Sequence, residues 1–283
     1  MVCCGVTGAV DMNPEAMRRN WDELGKTDPL WAILTRGDKR GGKWEADEFF
    51  KTGVDEISGV MERLKAWNIE LPTGRALDFG CGVGRLTQAL VPYFDEIHGV
   101  DIAPSMIEHA RRFNRRPDKC HYSLNEHDDL CAFPDNSFDL VYTSIVLQHI
   151  EPKYARKYVR EFLRIVSPSG LLIFQLPCEQ IRGCERQSLR LNMKRFAKRL
   201  TPAFALRWYR KLLNRPEWDP ELLGEPCIAM YFMKEDEVRR LLHAGGATIL
   251  NTVHDISGWF HSIQYYVSKS QMECASGACR SRV

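Results

Sequence analysis

Between residues 75 and 176, short apolar runs alternate with stretches of helical period, and few architectures accommodate that alternation. Strand-like runs fall at 75–79, 96–100, 120–123, 138–143 and 171–176, and helical periodicity covers 85–91, 104–112 and 153–165. Buried strands joined through amphipathic helices need crossover connections, so the pattern predicts an α/β fold with a doubly wound, mostly parallel sheet. A helix at 234–243 and strands at 247–252 and 263–269, the last antiparallel, extend it.

The flanking sequence reads differently. From Pro14 to Trp67 apolar residues recur at three- and four-residue steps, among them Trp21, Leu24, Ile33, Phe49, Ile57 and Leu64, which predicts an N-terminal helical cap over 14–67. Residues 1–13 and 271–283 are small and polar and are expected to be flexible tails. The main domain is placed at 68–270, interrupted by a helical insertion at 178–230. Within that insertion, residues 181–215 carry eleven basic side chains against the one acid Glu185, interleaved with apolar positions. Such amphipathic basic helices suit an anionic substrate, an acidic membrane surface or RNA phosphates, and equally a solvated lid.

The ten cysteines show no Cys-x2-Cys pair, and no apolar leader follows Met1, so they are read as reduced thiols of a cytoplasmic protein with no metal site. No apolar run approaches the roughly 20 residues of a membrane span. The formal net charge of +2 does not by itself imply nucleic acid.

The stretch ALDFGCGVGRLTQAL, 76–90, lies where the first strand hands over to the first helix. In a doubly wound sheet ligands bind beyond the carboxyl ends of the strands at that switch point. Glycine permits positive φ and lets backbone N–H groups approach a ligand. A nicotinamide or flavin fingerprint, G-x-G-x-x-G, fails because Arg85 occupies the sixth place from Gly80, and the Lys-Ser/Thr of a phosphate loop is absent. What remains is an acid two places before three alternate glycines: Asp78, Gly80, Gly82, Gly84.

With this loop the chain resembles the class I S-adenosylmethionine-dependent methyltransferases, over roughly residues 70–180 and 230–270. The segments FDLVYTSIVLQHI (138–150), VSPSGLLIFQLP (166–177) and EDEVRRLLHAGGATIL (235–250) resemble that family's later strands and helix. The resemblance implies a Rossmann-like fold and S-adenosyl-L-methionine as cofactor, wrapped by Asp78, Gly80, Cys81, Gly82 and Gly84. Asp101, at the end of the second strand, matches the ribose-binding acid, with Ile102 and Met106 on the adenine face. Read alone, Asp101 is equally a helix cap before Pro104. Asp128, Asp129 and Leu130 match the adenine-binding segment, the choice between the two acids staying open.

In similar phosphoethanolamine and ubiquinone-pathway methyltransferases a histidine at the place of His149 sits beside the substrate. His149 is therefore the expected general base, with Gln148 lining the same pocket, although a residue that merely packs or caps the turn before Pro152 would look the same. The Asn/Asp-Pro-Pro-Phe/Tyr signature of base amino-methylation is missing. The expected reaction is methyl transfer to oxygen, or else nitrogen, of a small molecule. An RNA or protein methyltransferase recruited by the basic insertion, or a non-catalytic cofactor-binding protein, are the alternatives. The oligomeric state is not legible.

Overall fold

A computed structural model describes residues 13–180, 229–256 and 260–269. The alternation resolves into a seven-stranded sheet of order β3-β2-β1-β4-β5-β7-β6. β1 (Arg75–Phe79), β2 (Glu96–Asp101), β3 (Cys120–Leu124), β4 (Phe138–Thr143) and β5 (Val166–Gln180) run parallel. β7 (Phe260–Ser268) lies antiparallel between β5 and β6 (Thr248–Asp255). The chain winds outward from β1 through β2 to β3, then returns to lay β4 on the other side of β1. This reversal opens a crevice at the carboxyl ends of β1, β2 and β4.

Side chains of successive strand residues point to opposite faces, and both faces are covered. Leu77, Phe79, Val141, Leu172 and Phe174 pack with residues of α6 (Pro152–Ile165) and α7 (Glu235–Ala244). Ala76, Leu140, Leu171 and Ile173 pack instead with α3 (Ala46–Ala66), α4 (Arg85–Ala89) and α5 (Pro104–Phe113). Each fully buried side chain of this kind contributes about 1.5–3 kcal/mol, so the two-sided core is what keeps the switch point rigid.

β5 is longer at both ends than the expected 171–176. It begins at Val166 opposite Phe138, then slips register to pair Leu171 with Leu140. The slip falls at Pro168, which has no N–H to give to the ladder. At its far end antiparallel pairing with β7 carries it to Gln180, so residues 178–180, expected to begin the insertion, are strand. The basic stretch 181–215 and the tails at 1–12 and 270–283 lie outside the described residues. Asn13, expected within the first tail, caps α1 (Pro14–Thr27) by accepting from the Ala16 N–H at 2.8 Å. Among the described residues no helix is long and apolar enough to cross a membrane.

The N-terminal cap consists of α1, α2 (Pro29–Ile33) and α3. Leu24, Trp31, Trp44 and Phe49 gather around Val83 and Met106 in a cluster of their own. Polar joints fix the cap to the sheet domain: Glu56 of α3 pairs with Arg85 at 2.8 Å and accepts from the Tyr142 hydroxyl at 2.9 Å, and a further joint lies at the start of α5. α5 begins after Ala103, which has no side chain able to cap it. Asp22 of α1 supplies the cap from across the chain, its Oδ1 accepting from the Ser105 N–H at 2.8 Å while the Ser105 hydroxyl donates to the Asp22 carbonyl at 2.8 Å.

Candidate active site

The glycine loop follows β1 with φ of +74°, +52° and +86° at Gly80, Gly82 and Gly84. All three lie in the left-handed region that a side chain disfavours. The surroundings exclude a side chain too. A Cβ on Gly80 would lie 2.4 Å from the Val146 side chain, on Gly82 2.5 Å from Ile33 Cδ1, and on Gly84 2.4 Å from the Tyr122 hydroxyl.

The loop's N–H groups are not held out for a ligand as the sequence led us to expect. Gly80 and Cys81 donate to the Val100 carbonyl at 2.8 and 3.0 Å, and Gly84 donates to the Cys81 carbonyl at 2.9 Å. Gly82 donates to Asp101 Oδ2 at 2.9 Å. The loop is therefore strapped to the end of β2.

A cavity of about 880 Å³, counted out to its open mouth, lies over this loop. Gly80, Cys81, Gly82, Asp101, Ile102 and Met106 line it, as does His149. Asp101 also accepts from the Ala103 N–H at 2.9 Å, so its oxygens are oriented by two backbone donors. Burial pushes its carboxyl up, against these hydrogen bonds. A partly desolvated, pre-oriented carboxylate with lone pairs remaining suits a vicinal diol, and the apolar Ile102 and Met106 beside it suit a heterocycle. The described residues thus fit an amino-acid nucleoside such as S-adenosylmethionine.

Several expected site residues do not line the cavity. Asp78, 1% exposed, faces away from the loop and accepts from the Thr87 hydroxyl at 2.6 Å. Burial pushes its carboxyl up to about 7, against that hydrogen bond and the charge of Arg85. Gly84 packs on Tyr122. Asp128 ion-pairs with Lys157 of α6 at 2.7 Å, and Asp129 accepts from the Cys131 N–H at 3.3 Å. Leu130 is in the core, its N–H donating to Glu161 at 3.0 Å. The α6 side chains hold this segment away from the mouth, and Asn125 lines the cavity there instead. The available signal was the end of β3 at Leu124, which puts the next residue on the carboxyl edge of the sheet.

The other side of the cavity is built from pieces distant in sequence. Met17, Trp21 and Ile33 of the cap close over it, and Ser144, Ile145 and Val146 follow β4. Ile145 has φ of +55°, a costly conformation for a β-branched residue of the kind that concentrates at functional sites. His149 lies in a short 3-10 turn, Leu147–His149, with the Trp21 ring edge-on at 5.3 Å. Its Nδ1–H donates to the Ala229 carbonyl at 2.6 Å, and the Gln148 side-chain amide meets its Nε2 at 3.1 Å. Burial pulls its pKa down to about 4, against the raising effect of the Ala229 carbonyl. Both ring nitrogens are thus engaged on a neutral ring, which is not the free base near pH 7 that the sequence led us to expect. Gln148 does not line the cavity; its carbonyl accepts from the Tyr231 N–H at 2.7 Å. Together the two residues tie the segment at 229–231 to the site.

The chain is similar to known proteins. The family profile described as "Methyltransferase domain" matches residues 77–174. A malonyl-[acyl-carrier protein] O-methyltransferase of Halorhodospira halophila is 34% identical over 201 residues, covering 67% of this chain and 62% of that protein. A trans-aconitate 2-methyltransferase of Methylobacterium nodulans is 30% identical over 192 residues, covering 65% of this chain and 69% of that protein. The chain thus spans a little over three fifths of the length of the first of these relatives. In fold it is similar to the crystal structure of magnesium protoporphyrin IX methyltransferase from Synechocystis PCC 6803 with bound SAH. That match has a TM-score of 0.58 and 18% identity, and it covers 90% of this chain and 98% of the other.

Proposed function

Since the chain belongs to the class I S-adenosylmethionine-dependent methyltransferases, we propose that it moves the methyl group of that cofactor to an oxygen of a small-molecule acceptor, within the cavity over the glycine loop. The observation that carries the reading is the strap between Gly82 and Asp101. It brings the bare loop and a pre-oriented carboxylate to one wall of a cavity whose other side is lined by the cap and the residues after β4.

The cofactor supplies an electrophilic methyl carried on a sulfonium. The chain does the rest by holding and excluding. Asp101 accepts from the two ribose hydroxyls, Ile102 and Met106 flank the adenine, and Asn125 offers its amide at the end of β3. Gly80 and Gly82 let the backbone lie against the methionyl part without a clash. Met17 and Trp21 cover the reacting end and keep water out, which strengthens every polar contact inside. Holding nucleophile and methyl in line is the largest contribution asked of such a site, worth about 7 kcal/mol or more. His149 acts here by position, pinning Ala229 and presenting a neutral ring to Trp21.

Isothermal titration tests the cofactor site. Asp101→Ala is expected to weaken S-adenosylmethionine binding by about 1–3 kcal/mol through loss of a charged acceptor. Unchanged affinity would remove Asp101 from the ribose site.

A further inference from the structure

Among the described residues three non-glycine residues have positive φ: Asn68, Asn136 and Ile145. Asparagine enters the left-handed region readily, whereas a β-branched side chain there is strained. Such strain persists only where the surroundings impose it.

At Ile145, with φ of +55°, the structure supplies an anchor. β4 makes its last pair with β5 at Thr143, opposite Phe174. Beyond that pair the chain leaves the sheet, and the Ile145 N–H donates to the side-chain Oε1 of the next β5 residue, Gln175, at 3.3 Å. The support is firm. β5 is paired on both sides, with β4 and with β7, where Gln264 stands opposite Gln175. The Gln264 amide in turn donates to the Tyr142 hydroxyl of β4 at 3.3 Å. A hydrogen bond at a half-buried amide and the cost of one residue in the left-handed region are of similar size, so loss of the first lets the second relax.

The residues after Ile145 depend on that turn. Val146 presses its side chain onto the bare Cα of Gly80, where a Cβ would come within 2.4 Å of it. Its carbonyl accepts from the His149 N–H at 2.9 Å and so starts the 3-10 turn Leu147–His149. Ile145, Val146 and His149 all line the cavity. A return of Ile145 to an ordinary helical φ is a rotation of roughly 120° and would displace all three against the glycine loop.

Resting on the methyltransferase reading above, we propose that Gln175 is a positioning residue of the reaction: through the Ile145 N–H it holds the turn after β4 in its strained form, and that turn fixes the acceptor against the methyl-bearing end of the cofactor. Gln175 acts from behind the described wall, through Ile145. In-line displacement is sensitive to such placement, since a shift of about 1 Å costs about 100-fold in rate.

The experiment uses the full chain with S-adenosylmethionine labelled in the methyl group and a small-molecule cell extract as the source of acceptor, titrated from dilute to saturating. Gln175→Leu keeps the bulk and removes the accepting oxygen. Gln175→Asn withdraws that oxygen by one methylene while staying polar, so it decides the matter if the first variant does not fold. Gln175→Glu keeps an oxygen in reach. Turnover at saturating extract is expected to fall by about 10-fold or more in the first two variants and to stay within about threefold of wild type in the third. The half-saturating amount of extract, and cofactor affinity by titration, should stay within about threefold throughout. Hydrogen exchange gives a readout apart from activity: the Ile145 amide should lose protection by about 10-fold or more in the first two variants and keep it in the third. Wild-type turnover in Gln175→Leu or Gln175→Asn, or no rescue by Gln175→Glu, overturns the assignment. So does a parallel loss of cofactor affinity, which would make Gln175 a prop of the whole site. No label transferred by the wild-type chain, with cofactor binding intact, removes the methyltransferase reading and this inference with it.

Discussion

The two walls of the cavity are built in opposite ways. The cofactor wall comes largely from one continuous stretch, Phe79 to Met106, and its parts hold one another through the backbone: Gly80 and Cys81 on Val100, Gly82 on Asp101. The acceptor wall is assembled from Met17, Trp21 and Ile33, then Ser144 to Ile150, with Ala229 behind His149, and side chains do the joining. A wall held by local backbone bonds tolerates little change. One assembled from distant side chains can be altered piece by piece, which suits the part that must match an acceptor.

Substitution at Gly82 is the strongest test of this contrast. Gly82→Val asks a β-branched residue to adopt a φ of +52° with its Cβ against Ile33. Cofactor affinity is expected to fall by about 100-fold or more, which is roughly 2.7 kcal/mol, with a further loss of about 1–2 kcal/mol in folding stability. Titration and a urea melt read the two effects separately. Near-normal binding would mean that the loop is not the cofactor wall.

Asp78 tests the same wall from behind. Its carboxyl, raised to about 7, is costly to ionise in the fold, so a penalty is present above pH 7 and is relieved as the pH falls from 7 toward the unfolded value near 3.8. Asp78→Asn keeps an acceptor for Thr87 and removes the charge. It is expected to stabilise the protein by about 1–3 kcal/mol at pH 8.5, an advantage that should shrink steadily below pH 7 and vanish only near pH 4. A gain that does not change with pH would count against a buried charge at this position.

This asymmetry also explains what could be read in the sequence. The strand and helix order, the glycine loop and the position of Asp101 at the end of β2 were legible because each depends on residues close in the chain. Asp128 and Asp129 were expected at the adenine end, but Lys157 draws Asp128 into a surface ion pair. That partner comes from α6, 29 positions away from Asp128. His149 lines the cavity, yet its chemistry depends on Ala229, 80 positions further on. Trp21 read only as part of the apolar stripe of a helix, and Met17 was not singled out. Nothing local distinguishes a stripe that packs on the core from one that roofs a cavity.

The acceptor wall gives the next test. His149 is held neutral, with its pKa down near 4 against about 6.5 unfolded, so the stability this provides is present above pH 6.5 and lost as the pH falls toward 4. Between pH 6.5 and 4.5 the wild type should lose about 2 kcal/mol more than His149→Gln, measured by urea unfolding. Parallel losses would mean that the ring is solvated and can be protonated in the fold.

The smallest expected effect lies at the joint between the two walls, and it bears most directly on whether they act separately. Asp22 belongs to the cap but closes the N-terminus of α5, the helix that carries Met106. Burial alone would push the Asp22 carboxyl up, but the Lys26 ammonium and the Ser105 N–H outweigh it and hold the carboxyl below its usual value. Its contribution is therefore present above the unfolded pKa near 3.8 and lost as the pH falls through the lower folded one. Asp22→Ala removes the cap while the Ser105 hydroxyl keeps its bond to the backbone carbonyl. The expected cost is about 1 kcal/mol at pH 7. If the walls are separable, the loss should appear mainly in the KM for the acceptor, because α1 carries Trp21 and Met17, while cofactor affinity stays within about twofold. An equal loss in both would show that the cap orders the cofactor wall as well, and the division drawn here between a backbone-held half and a side-chain-held half would fall.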